Sequence, residues 1–154
     1  MTVFDAIIKL LDESQTPYTL SVHKPVRTSE EASKIRGVEM KTGAKAMVIK
    51  ANGFYHLLVL PADRKINWKK VKQLLNGKDA TMATEQEAET VTHVQMGAVP
   101  PFGNILNLPT YFDDQILENE ISNFNVGLRT HSVSMKTADL VRLVHPTISS
   151  ISKD

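Results

Sequence analysis

The sequence predicts an α+β fold: a mixed, largely antiparallel sheet or partly closed barrel, surrounded by short helices. Three observations carry this expectation. The strongest local signal is a hairpin, with two strand-like runs meeting at Asn52-Gly53. A second pair of strand-like runs, Ile121 to Val126 and His131 to Met135, is joined by a short turn near Gly127. Helical segments fall between the strands without the regular βαβ alternation of a parallel sheet. The 154 residues suit one domain, covering 1–154, with a substantial core.

Each element has its own local cause. Val3, Phe4, Ile7, Ile8, Leu10 and Leu11 recur at helical spacing, and Thr2 can cap the helix start. Beyond Pro17, the alternation of Tyr18, Leu20 and Val22 predicts a strand with one buried face. His23-Lys24-Pro25 breaks it. Thr28-Ser29-Glu30-Glu31 reads as a capping box opening a short polar surface helix, a lid in outline, that Gly37 can close. Lys45 to Ala51 and Phe54 to Leu60 form the hairpin strands, the second apolar enough to be central. Asn67 caps a helix to Leu75 with an apolar stripe of Trp68, Val71, Leu74 and Leu75. Ala80 to Ala83 is a short strand, and Thr84-Glu85-Gln86-Glu87 is a second capping box. Ile105, Leu106 and Leu108 read as strand-like, as do Thr110 to Phe112, and Asp113-Asp114 starts a helical turn. Thr137 is expected to cap a last helix, stopped by His145-Pro146, and the tail 147–154 to fray.

Composition narrows the chemistry. With no cysteine there is no disulfide, thiolate metal site or cysteine nucleophile. The five histidines are scattered with no H-x-x-x-H pair, so no metal or other cofactor is expected, and turnover should not need zinc. A net charge of +1 argues against a long nucleic-acid groove but leaves room for contact with one nucleic-acid end. The most basic stretch includes Arg64, Lys65, Lys69 and Lys70, which either face phosphates or form an ordinary solvated helix face. No apolar run approaches the ~20 residues that span a membrane. No basic leader with a cleavage site opens the chain, so a cytoplasmic protein is expected. P-loop, dinucleotide and G-x-S-x-G signatures are missing.

What remains is a loop, a lysine and a histidine. Gly97-Ala98-Val99-Pro100-Pro101-Phe102-Gly103 places two prolines between two glycines. Proline restricts itself and its predecessor, while glycine opens conformations closed to other residues. The predicted result is a stiff loop whose N–H groups can meet an anion or an ester carbonyl. Its bland reading is a rigid surface turn. Lys45 either snorkels to solvent or points into a pocket as a fixed cation. His131 either relays a proton or sits half-buried in a strand. Asp113 and Asp114 point in diverging directions and read as helix-start carboxylates rather than an acid pair.

Taken together these residues resemble the YbaK/prolyl-tRNA synthetase-associated domain family, the free-standing aminoacyl-tRNA deacylases. The resemblance lies in Lys45-Ala46-Met47-Val48-Ile49, in the Gly97–Gly103 loop, and in Gly127-Leu128-Arg129-Thr130-His131-Ser132-Val133 followed by Thr137-Ala138-Asp139-Leu140. Leu60-Pro61-Ala62-Asp63-Arg64-Lys65 adds to it, and the match runs from about residue 17 to 145. Ala98 departs from the second glycine of many relatives, and Thr92 to Met96 differ from the bacterial YbaK lead-in. The resemblance implies hydrolysis of the ester of a mischarged aminoacyl-tRNA, by positioning and oxyanion stabilisation without a covalent nucleophile. It implies Lys45, Gly103 and His131 as catalytic residues, and Thr28, Met47, Gly97, Ala98, Val99, Pro100, Pro101 and Phe102 as substrate-binding residues. The partners it implies are the acceptor 3′ end of an aminoacyl-tRNA and an aminoacyl-tRNA synthetase. Two alternatives stay open: a non-catalytic module of the same fold that binds tRNA ends or a synthetase, and an unrelated hydrolase using Asp113, Asp114 or His131.

Overall fold

A computed structural model describes all of residues 1–154. Its first helix, α1 (Val3–Glu13), is opened by a reciprocal capping box in which Thr2 accepts from the Asp5 N–H and Asp5 accepts from the Thr2 N–H. Strand β1 (Tyr18–Val22) and helix α2 (Ser29–Arg36) follow. Thr28 caps α2 by accepting from Glu31 N–H, and Gly37 closes it at φ +70°. The hairpin forms β2 (Ala44–Ala51) and β3 (Phe54–Pro61), with Asn52 and Gly53 both at positive φ. That is the backbone geometry a tight two-residue turn requires.

Helix α3 (Trp68–Leu75), the two-residue β4 (Thr81–Met82) and helix α4 (Glu85–Thr92) carry the chain to the proline loop. Then come α5 (Gly103–Leu106), β5 (Thr110–Asp113), a 3-10 turn over Asp114–Glu118, β6 (Ile121–Asn125), β7 (His131–Lys136), α6 (Thr137–Val144) and β8 (Thr147–Ser149). No helix is long and apolar enough to cross a membrane.

The strands form two sheets rather than a barrel, a three-stranded one ordered β1-β7-β6 and a five-stranded one ordered β4-β2-β3-β5-β8. The hairpin and the β1-β7-β6 ladder are antiparallel, whereas β5 runs parallel to both β3 and β8. An isolated bridge from Gly43 to Asn123 joins the entrance of β2 to β6, and so brings the two sheets together. Gly43 is required there, since a Cβ would lie 2.8 Å from that of Ala62.

The burial of β3 shows why its sequence is almost continuously apolar. Leu57 and Val59 enter the main core with Phe102, Phe112 and Phe124, while Leu58 and Leu60 enter a second core beneath α3 with Ile49 and Val71. A strand covered on both faces has no polar side to alternate with.

Four local expectations fail. Strand β1 has no buried face: it is an edge strand, with Leu20 40% and Val22 70% exposed. Ile105 and Leu106 are helical, because α5 folds one turn that Asn107 closes at φ +57°. Thr137 is the first residue of α6 rather than its cap, and its hydroxyl bonds to Ser122 Oγ at 2.7 Å. The tail is not frayed. It forms β8, pairs Ser152 with Ile66, and buries Ile151 completely.

Candidate functional site

A cleft of about 200 Å³ opens where β2, α2, β6 and the proline loop converge. Helix α2 supplies one wall. Thr28, Ser29, Ala32, Ser33 and Arg36 recur at intervals of three and four residues, so a single helical face looks into the cleft. The helix expected as a surface lid is therefore a wall of the site. Strand β2 supplies Lys45 and Met47, strand β6 supplies Asn123, Phe124 and Asn125, and the loop supplies Met96, Gly97 and Val99.

Lys45 is half-buried, and its ammonium donates to the Arg64 carbonyl at 3.0 Å. That bond uses one of three donors and holds the head in place. Burial lowers the Lys45 pKa below the ordinary lysine value, with Asp63 acting in the opposite direction.

The loop divides into exposed and anchored residues. Pro100, Pro101, Phe102 and Gly103 are buried, and the Phe102 ring packs edge-on against Phe124 at 5.7 Å. Ala98 is 1% exposed, its N–H donates to the Gln95 carbonyl and its carbonyl accepts from the Gly127 N–H. Gly97 and Val99 lie at the cleft, and their N–H groups make no hydrogen bond within the chain. The loop is braced from outside by two bonds from Arg129 to Gln95 Oε1, and by the Met96 N–H donating to Glu89 Oε1. Gly97 adopts φ +91° where the loop packs on Val26 and Arg27. Two free amide donors on a braced loop, lining the same small cleft as a lysine, can hold an oxygen that gains negative charge.

Thr28, Lys45, Met47, Gly97 and Val99 thus share the cleft. Pro100, Pro101 and Phe102 act from behind as anchors. Gly103 opens α5, and a Cβ there would collide with the Thr110 side chain and the Leu108 carbonyl. His131 lies outside the cleft lining, with its Nδ1 2.7 Å from Thr130 Oγ1 and its ring edge-on to Phe4. Asp113 is completely buried and holds the C-terminal tail, through the N–H groups of Ile151 and Ser152 and the Ser152 hydroxyl.

Sequence reasoning missed Arg36, Asn125, Ser132 and His23. Arg36 Nε donates to Ser132 Oγ at 3.0 Å, and its Nη2 donates to Asn125 Oδ1 at 2.8 Å. Ser132 Oγ lies 2.7 Å from His23 Nε2, while His23 Nδ1 lies 2.8 Å from the Lys24 carbonyl. A carbonyl only accepts, so His23 donates through Nδ1, and in the neutral ring Nε2 accepts from the Ser132 hydroxyl. The available signal was the position of Arg36 immediately before the helix-closing Gly37.

The sequence profile described as the aminoacyl-tRNA editing domain matches residues 23–143, which contain every wall of the cleft. The chain belongs to the aminoacyl-tRNA editing domain family. Among its relatives is the multifunctional Ser/Thr-tRNA deacylase ProXp-y of Escherichia coli (strain K12), 32% identical over 148 residues, covering 92% of this chain and 88% of that protein. The prolyl-tRNA editing protein ProX of Acetoanaerobium sticklandii is 29% identical over 151 residues, covering 94% and 92% of the two chains. A proline–tRNA ligase of Caldicellulosiruptor bescii matches 83% of this chain at 29% identity, over 21% of its own length. The editing-domain fold is also seen in the crystal structure of a hypothetical protein, with TM-score 0.87 and 22% identity over 96% of this chain and 99% of that one.

Proposed function

We propose that this chain is a trans-editing deacylase that hydrolyses the ester joining a wrongly attached amino acid to the 3′ end of a tRNA. The observation that carries it is the pairing, across one cleft, of the Lys45 ammonium with the unpartnered N–H groups of Gly97 and Val99. Family membership and the named deacylases among its relatives support the same chemistry.

In this reading the aminoacyl ester lies in the cleft with its carbonyl oxygen toward Gly97, Val99 and Lys45. Water adds to the acyl carbon, and the oxyanion is held by these donors. The bond to the ribose oxygen then breaks, that oxygen takes the proton given up by the attacking water, and free amino acid and tRNA leave. No side chain becomes acylated. An aminoacyl ester is already activated, so positioning and charge stabilisation are adequate to accelerate its hydrolysis. The substrate's own 2′-hydroxyl, on the ribose carbon next to the ester, assists the attacking water in this reading. His131 and Gly103 have no part in this scheme. Thr28 and Met47 shape the amino-acid side of the cleft, with Ser29 and Ser33 as polar neighbours. A relative named for Ser/Thr-tRNA makes seryl- and threonyl-tRNA the first substrates to try. The chain acts as one editing domain in the cytoplasm, where charged tRNA is used. The occurrence of a matching segment in proline–tRNA ligases supports work alongside a synthetase.

The test is single-turnover deacylation across a panel of mischarged tRNAs. Lys45→Ala should slow hydrolysis by about 100-fold or more, the scale for losing one donor in a preorganised site. Its melting temperature should stay near wild type, and Lys45→Arg should rescue poorly because a planar fork replaces a compact ammonium. Wild-type rates in a folded Lys45→Ala protein would remove the lysine from the mechanism. Tight binding of tRNA ends by wild type with no hydrolysis of any of them would make the chain a binding module.

A further inference from the structure

We propose that Arg36 is the receptor for a phosphate group of the bound RNA end, the one immediately 5′ of the aminoacylated nucleoside. The proposal rests on the deacylase reading and adds a second anchor to it, distinct from the ester-binding lysine and loop.

Arg36 lines the cleft from the last turn of α2, on the face that carries Thr28, Ala32 and Ser33. Its two hydrogen-bond partners, Ser132 and Asn125, are neutral. Arg27 and Arg142 each meet a carboxylate, Glu85 and Asp139, but Arg36 takes part in no ion pair. Burial alone pulls its pKa down to about 10, with no nearby carboxylate acting to restore it. A guanidinium half withdrawn from water without a counter-charge is costly to the free protein. The helix C-terminus offsets only a small part of that cost.

The arrangement is also over-determined for a passive surface arginine. Ser132 fixes Nε, and is itself fixed by His23, whose other ring nitrogen is held by the Lys24 carbonyl. Asn125 fixes one Nη2 donor, and is anchored in turn through its own Nδ2, which donates to the Leu128 carbonyl. Two of the five guanidinium donors are thereby used for orientation, and three remain for a ligand. A planar fork held by its back edge suits the paired oxygens of a phosphate.

The ligand chemistry follows from what else the cleft must hold. The α-amino group of an aminoacyl ester is cationic and would be repelled. The ester oxygen already has donors in Gly97, Val99 and Lys45. The remaining anion of an aminoacylated RNA end is its phosphodiester. An acidic amino-acid side chain is the competing carboxylate, and the experiment separates the two.

The test compares 3′-O-seryl-adenosine with the same ester bearing a 5′-phosphate, using wild type, Arg36→Gln and Arg36→Lys. The quantity read is the ratio of kcat/KM for the phosphorylated and unphosphorylated esters. Wild type should prefer the phosphorylated ester by about 10- to 100-fold, the range for a hydrogen-bonded charge contact. Arg36→Gln should bring that ratio close to one, and Arg36→Lys should keep part of it. In parallel, calorimetric titration with 5′-AMP and with adenosine should show the same preference and the same loss, whether or not any ester is hydrolysed. A phosphate preference that survives Arg36→Gln, or that wild type lacks in both assays, overturns the proposal. So does a preference for 3′-O-aspartyl over 3′-O-seryl-adenosine that Arg36→Gln abolishes, since Arg36 would then read the amino acid. Failure of wild type to hydrolyse any aminoacyl-tRNA, with the AMP preference intact, would count against the deacylase reading alone.

Discussion

At the residue scale, two glycines of one loop have opposite physical jobs. Gly97 has room for a Cβ, whose nearest neighbours would be 3.4 Å away, but its φ of +91° is strained for any other residue. Gly103 has an ordinary backbone and no room, because a Cβ would lie 2.8 Å from the Leu108 carbonyl. Gly103→Ala should therefore act on stability, by about 1–3 kcal/mol as overpacking does. Gly97→Ala should act chiefly on deacylation, by turning the loop amides away from the cleft. Thermal melts alongside single-turnover rates separate the two. A Gly103→Ala protein that melts with wild type yet has lost activity would return Gly103 to the mechanism. The motif was legible in the sequence as a loop of free donors. Which of its N–H groups are free was not, because Ala98 donates back to Gln95 and the residues after Val99 turn into the core.

At the element scale, the C-terminal strand is held by one carboxylate. Asp113 lies at the end of β5, parallel to β8, and accepts from Ile151 N–H at 2.9 Å, Ser152 N–H at 3.0 Å and Ser152 Oγ at 2.8 Å. Arg64 and Lys70 tie the same tail down, through Lys153 O and through Ser150 Oγ and Ser152 O. Asp113→Ala leaves two buried N–H groups without an acceptor, so it should cost about 3 kcal/mol or more. Urea unfolding measures that loss, and hydrogen exchange across residues 147–153 shows whether the tail detaches. A loss below about 1 kcal/mol with the tail still protected would mean that Arg64, Lys70 and the β8 ladder suffice. The sequence showed Asp113 as a turn-starting carboxylate, and it does cap the 3-10 turn. Its partners 38 and 39 residues away were invisible, which is why the tail read as frayed.

At the scale of the whole molecule, charge sets how much RNA the chain can hold. The net charge is +1, and two of the basic residues that could have faced phosphates, Arg64 and Lys70, are committed to the tail. Lys69, Lys72 and Lys78 remain around a shallow surface at the end of α3. Binding of aminoacyl-tRNA should then weaken only gently with salt, with a slope of roughly two to four phosphate contacts. Titration of affinity between low and moderate salt measures it. A slope near ten contacts would reveal an RNA surface beyond the cleft and this patch.

The sequence by itself determined most of the elements, the hairpin turn and the family, but not α5 or β8. Capping residues, the Asn52-Gly53 turn and the apolar alternation act over a few residues, and the chain's local energetics decide them before it folds. The lysine strand, the proline loop and the closing strand could be recognised for the same reason, since each motif is contiguous. Only the tertiary structure decided the rest of the site. The bonds from Arg36 to Ser132 and Asn125 span 96 and 89 residues, and that from Ser132 to His23 spans 109. They exist because α2 lies over the meeting point of two sheets, and no local pattern encodes that placement. The same packing keeps His131 beside Phe4 and out of the cleft. A side chain's chemistry is written in its residue type. Whether it meets a partner, a ligand or water depends on which distant segment the core brings beside it.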